Sequence, residues 1–162
     1  MKEKNYEFDN AFIDYISGIV DLERLLEEVK FDNNRAHSLF LSMLYCHTIS
    51  LFDAFVGDEI RFKQYHTNQD VDEKCPYQNS KIISKALKDV YGIEFSLPSE
   101  YDYMAYKRNM LIHRNGKLPN GCHIKITEKD VKYIISFVKQ KINEIEELIC
   151  DKQAEENVKC GK

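Results

Sequence analysis

Nine consecutive residues, Arg108-Asn109-Met110-Leu111-Ile112-His113-Arg114-Asn115-Gly116, hold the groups in this chain best suited to chemistry. An arginine meets a phosphate through a planar fork of N–H donors. A carboxamide both donates and accepts hydrogen bonds. Imidazole titrates near neutral pH and moves a proton in either direction. Together these groups can grip a phosphate and activate a ribose hydroxyl. On a helix, Asn109 and His113 lie about 40° apart on one face, while Arg108 stands about 140° from His113. Arg108 must therefore reach round to join them. An arginine at the edge of an apolar face calls for an anionic partner. That partner is either a ligand phosphate or an internal acid, with Asp53 and Glu59 of the second helix as the candidates.

The surroundings favour an anion. From Tyr103 to Thr127 there is no Asp or Glu, whereas Lys107, Arg108, Arg114, Lys117 and Lys125 all fall in that window. The whole chain carries a formal charge of −4, which lacks the global basic footprint of a duplex binder. A local cationic patch on an acidic protein fits a single groove instead. Lys107, Arg114, Lys117 and Lys125 are the residues expected to hold phosphates there. A run of solvated lysines is the plainer reading of the same window.

Other reactive residues carry less. The five cysteines form no CxxC pair, and the adjacent Cys122-His123 is not a zinc spacing, so neither metal nor cofactor is expected. Cys46 and His47 lie in an apolar stretch and read as core, His47 with a hydrogen-bond partner. His37 and His66 read as surface residues, and His123 as a secondary RNA contact. Tyr101, Tyr103 and Tyr106 precede the motif; packing in the core is their plainer role and base stacking the alternative. The first residues lack an apolar leader segment and no apolar run is read as approaching 18 residues, which predicts a cytoplasmic protein with reduced thiols and no membrane association.

The elements that must position the motif are helical. Six glycines and three prolines in 162 residues argue for long helices over a turn-rich β architecture. Apolar residues from Phe8 to Val29 recur at three- and four-residue steps and predict a first helix over 7–30. Asp32-Asn33-Asn34 can cap a second, strongly apolar helix containing Leu39, Met43, Phe52 and Val56, expected to be central and covered on most sides. Residues 63–80 lose the periodicity and read as a long connection. A third helix over 80–91 stops at Gly92, and a fourth over 99–115 begins at Ser99 as cap, buries Met104, Ala105, Leu111 and Ile112, and stops at Gly116. A tight turn and one short extended piece fit 117–127. Thr127 and Asp130 open the last helix with a capping arrangement. The expected architecture is an all-α, up-and-down bundle of about five helices in one domain over 1–150, with 151–162 as a frayed polar tail.

In that setting, Arg108-Asn109 followed after four residues by the motif's histidine, on the penultimate helix of a small bundle, resembles the signature of the HEPN superfamily (higher eukaryotes and prokaryotes nucleotide-binding domain). The likeness covers most of the chain in architecture and about nine residues in motif. It implies a metal-independent endoribonuclease, a toxin or effector of defence and abortive infection, leaving 2′,3′-cyclic phosphate ends. It also implies a homodimer in which two motif helices complete one site, and RNA as substrate. A cognate antitoxin or separate nucleotidyltransferase is the further partner implied. By that resemblance His113 activates the 2′-hydroxyl or protonates the leaving oxygen, Arg108 stabilises charge on the phosphate, and Asn109 orients either. The alternative within the superfamily is an inert module for dimerisation, nucleotide or protein binding. Outside it, a structural bundle with Arg108 paired to Asp53 is the remaining reading.

Overall fold

A computed structural model describes residues 11–67, 69 and 79–160. Among them the chain is all-α, a bundle of five helices: α1 (Ala11–Glu28), α2 (Asn34–His66), α3 (Ser80–Tyr91), α4 (Glu100–Arg114) and α5 (Glu128–Cys160). The expected start of the first helix at residue 7 lies outside the described residues.

Helix α2 is the hub, packing against the other four. Its capping residue is Asn33, whose side chain accepts a 2.7 Å bond from the Ala36 N–H. From Leu41 to Ile60, Leu44, Tyr45, Ile49, Phe52, Phe55 and Val56 are buried. They meet Ile19, Leu22 and Leu26 of α1 and Val131, Ile134, Val138, Ile142 and Ile145 of α5 in one core. Each such side chain withdrawn from water contributes roughly 1.5–3 kcal/mol before conformational entropy is counted. The polar exception, Thr48, donates to the Leu44 carbonyl at 2.8 Å and is satisfied within its own helix.

Helix α2 also contains an 18-residue window long and apolar enough, by composition, to cross a bilayer. This corrects the expectation that no such run exists: Ala36 to Phe52 holds no Asp, Glu, Lys or Arg. In the bundle, 44% of that window is buried, so less than half of it is covered, against the expectation of cover on most sides. Covering is one-sided at the helix start, where Leu39 and Met43 face outward at 62% and 61% exposure.

Several boundaries differ from their sequence expectation. Residues 63–66 belong to α2, so the connection begins later; residues 68 and 70–78 lie outside the described residues. The tail expected to fray continues α5 as far as Cys160. Ser99 makes no side-chain cap, having helical dihedrals itself. Asp102 bonds elsewhere, accepting from Ser80 N (2.7 Å) and Ser80 Oγ (2.8 Å) at the start of α3. Between α3 and α4, Ile93, Phe95 and Leu97 are buried while Glu94 and Ser96 are exposed, a period-two segment outside any named strand. Before α5 the extended piece is reduced to one antiparallel bridge, Lys117 with His123. Thr127 and Asp130 form the expected capping pair: Thr127 N and Oγ1 donate to Asp130 Oδ2 at 2.8 and 2.6 Å, and Asp130 N returns to Thr127 Oγ1 at 3.2 Å.

Candidate active site at the end of α4

Helix α4 has one extensively packed face, against α2. Tyr101, Met104, Ala105 and Arg108 are its buried residues, spaced i, i+3, i+4 and i+7. Ile112, expected on that face, is 55% exposed because a hollow separates it from the first half of α2; Leu111 is half-buried. The opposite stripe of α4 carries Tyr103, Tyr106, Met110 and His113. Three of these are exposed and Met110 is half-buried. His113 thus sits on an uncovered helix face, in the last turn.

Arg108 is 5% exposed. Its Nη1 donates to Asp53 Oδ2 at 2.5 Å, and its Nε donates to Asn109 Oδ1 at 3.2 Å. Tyr101 donates its hydroxyl to the other Asp53 oxygen and packs edge-on against Phe52 at 5.3 Å between centroids. Of the two acids offered by the sequence, the structure selects Asp53. Glu59 lies elsewhere, receiving the Tyr91 hydroxyl at 3.1 Å, and does not support the motif. Its position six residues beyond Asp53, about 240° around the helix, carries it to another face of α2.

Burial raises the Asp53 pKa from its ordinary value; the Tyr101 hydroxyl, the Arg108 hydrogen bond and the Arg108 charge all work against that rise. Burial and the adjacent Asp53 carboxyl push the Tyr101 phenol far above its usual range, so it remains a donor. Arg108 keeps one free end. Nη2 has no hydrogen-bond partner among the described residues, and no buried side-chain nitrogen or oxygen there goes unpartnered, so Nη2 meets solvent. Two sides of the guanidinium are anchored internally and the third is presented outward.

The helix ends through two left-handed residues, Asn115 (φ 50) and Gly116 (φ 74). The left-handed stop falls at Asn115, one residue before the expected Gly116, whose N–H turns back to the Met110 carbonyl at 2.9 Å. The chain then folds into a finger closed by Ile124 N to Gly116 O (2.8 Å) and Leu118 N to Cys122 O (2.8 Å). This brings Arg114, Lys117 and Asn120 round one open hollow of about 540 Å³. His123 returns to a second, between α2 and α4.

Asn109 is half-buried beside Arg108; Arg114, Lys117 and Lys125 are exposed. Lys107 points to another side of α4, its ammonium 4.7 Å from the Tyr103 ring centroid, and its charge helps lower the Asp130 pKa. It stands apart from His113. His47, expected in the core, is exposed, and Cys46 is half-buried. Tyr101 as the second support of Asp53 was missed; its seven-residue spacing to Arg108 placed both on one stripe and is the signal that could have found it. Among the described residues no three His, Cys, Asp or Glu side chains gather as metal ligands. The chain matches no protein-family model, no curated protein and no solved structure.

Proposed function

We propose that this chain is a metal-independent endoribonuclease of the HEPN type, a cytoplasmic toxin or defence effector that works as a homodimer. The observation that carries this reading is the free Nη2 of an otherwise clamped Arg108, with an exposed His113 five residues on in an acid-free stretch. A preorganised cation needs no reorganisation when charge develops on a phosphate, and such preorganisation is where electrostatic catalysis gains most. The uncovered stripe of Tyr103, Tyr106, Met110 and His113 supports α4-to-α4 pairing.

In the proposed reaction, His113 of one copy takes the 2′-hydroxyl proton. The 2′-oxygen forms a bond to phosphorus as the bond to the 5′-oxygen breaks. His113 of the second copy delivers a proton to that leaving oxygen. Arg108 meets the phosphate charge, Asn109 orients the guanidinium it touches, and Arg114, Lys117 and Lys125 hold flanking backbone. A cognate antitoxin or nucleotidyltransferase would regulate the activity in the cell.

The same buried Arg108–Asp53 pair favours one other reading, an inert dimerising module in which the arginine is purely structural. Incubating wild-type protein and His113→Ala with RNA in excess chelator separates the two. Cleavage by the wild type alone, leaving 2′,3′-cyclic ends, is the expected result. Equal cleavage by both removes His113 from the mechanism; no cleavage by an intact dimer favours the inert module.

A further inference from the structure

The hollow between the first half of α2 and the end of α4 has a volume of about 740 Å³, within the range of small-ligand pockets. Leu39, Met43 and Ile112 form apolar walls that the bundle leaves 62%, 61% and 55% exposed. Arg35 and His123 stand at its edges. The Ser38 hydroxyl and the Asn115 carboxamide make no side-chain hydrogen bond among the described residues, so their donors and acceptors are open.

Charge groups this hollow with the one on the finger, which also lacks acids. No Asp or Glu lines it, whereas the hollows between α1 and α5 carry Glu23, Glu27 and Glu128. The hollow also reaches the motif. Cys46 on its lining feels the Arg108 charge, which opposes the rise that burial causes in the thiol pKa. Ile112 lines this hollow and Arg114 lines the 540 Å³ hollow on the finger, with the exposed His113 between them in the chain. Neither hollow is lined by an acid, one being largely apolar and the other cationic, and the last turn of α4 contributes to both.

A group that is apolar on its faces, polar along its edge and anionic in its backbone matches that sequence of surfaces. We propose that the hollow between α2 and α4 is a nucleobase pocket for single-stranded RNA. Leu39, Met43 and Ile112 cover one base, Ser38 and Asn115 meet its edge, and the adjoining backbone passes His113 toward Arg114 and Lys117. The proposal rests on the ribonuclease reading for the position of the reacting phosphate and adds where the neighbouring base is held.

The test uses the full chain and a fluorescein-labelled, fully 2′-O-methylated RNA hexanucleotide, which cannot be cleaved through its 2′ positions. Binding is compared between the intact oligonucleotide and versions abasic at each position in turn. One abasic position should weaken binding to the wild type roughly ten-fold, the scale of a lost base contact. In Leu39→Ala/Met43→Ala that penalty should disappear, while binding of the abasic oligonucleotide stays unchanged. Both residues are exposed, so the fold should survive, and circular dichroism checks this. An unchanged abasic penalty in the double variant, or no RNA binding by the wild type, overturns the proposal. So does a double variant that sediments as monomer where the wild type is a dimer, since the hollow would then seat a second copy. Base-dependent binding without cleavage of unmodified RNA would sink the ribonuclease reading and leave the pocket; cleavage with base-independent binding would do the reverse.

Discussion

Arg108 of α4 and Asp53 of α2 meet at 2.5 Å with side-chain exposures of 6% and 15%, making the motif arginine part of the joint between two helices. Removing one partner leaves an uncompensated buried charge, which costs about 3–5 kcal/mol. Urea denaturation of Asp53→Ala and Arg108→Ala should both show losses on that scale. Replacing both residues by apolar ones of similar size should recover much of the loss. Single variants within 1 kcal/mol of wild type would mean the pair is solvated.

His113 has the opposite character. It is exposed and its side chain makes no hydrogen bond among the described residues, so His113→Ala should leave stability within about 0.5 kcal/mol of wild type. RNA cleavage should nevertheless fall at least a hundred-fold, roughly the scale of lost acid–base catalysis. Measured together, the denaturation midpoint and the cleavage rate distinguish a reacting group from a folding one; a variant that unfolds early would contradict the exposed placement.

Glu59 gives the bundle a pH dependence remote from the motif. Burial and the nearby Glu146 raise its pKa from 4.5 to about 7, against the pull of the Tyr91 hydroxyl. The folded state therefore binds this proton more tightly than the unfolded state. Its stabilising contribution is fully present below about pH 4.5 and is lost as pH rises to about 7, an effect of up to about 3 kcal/mol. Denaturation at pH 5, 6 and 7 should show stability falling through this window, with a shallower slope in Glu59→Gln. Parallel profiles for the two proteins would rule out Glu59 as the source.

Gly116 follows the stop of the motif helix at φ 74, and a Cβ there would lie 3.3 Å from Leu111 Cδ2. Gly116→Ala should cost about 1–2 kcal/mol, from the left-handed backbone alone. A midpoint equal to wild type in guanidinium would show that the turn relaxes at no cost.

Asp102 ties α4 to the start of α3 through both Ser80 donors. Asp102→Ala should lose about 1–2 kcal/mol, the range of a lost helix cap. Faster amide exchange should be confined to the first turn of α3. Unchanged exchange there would show that Asn79, which accepts from Lys81 N at 2.9 Å, caps the helix unaided.

Local chemistry made most of the bundle legible. Asn33, Gly92 and the Thr127–Asp130 pair mark helix ends through bonds and dihedrals that their own residue types favour. The apolar repeat of α5 from Val131 to Ile149 matches its buried stripe because period 3.6 is a property of one helix. Errors arose where a neighbour decided. Leu39, Met43 and Ile112 are apolar by type, yet each is left more than half exposed among the described residues. Asp102 has a side chain that could serve its own helix but bonds Ser80 across the bundle.

For the motif, the sequence by itself determined which groups are present, that Asn109 and His113 share a helix face, and that no acid interrupts residues 103–127. Those follow from residue type and helical period, which need no partner. Only the tertiary structure decided that Arg108 turns inward to Asp53 rather than outward, that Tyr101 supports the acid while Glu59 does not, and that Nη2 remains open. The physical reason is range. A five-residue offset fixes an angle on α4, but the electrostatic partner lies 55 residues away, and packing of α4 on α2 sets which acid the guanidinium can reach.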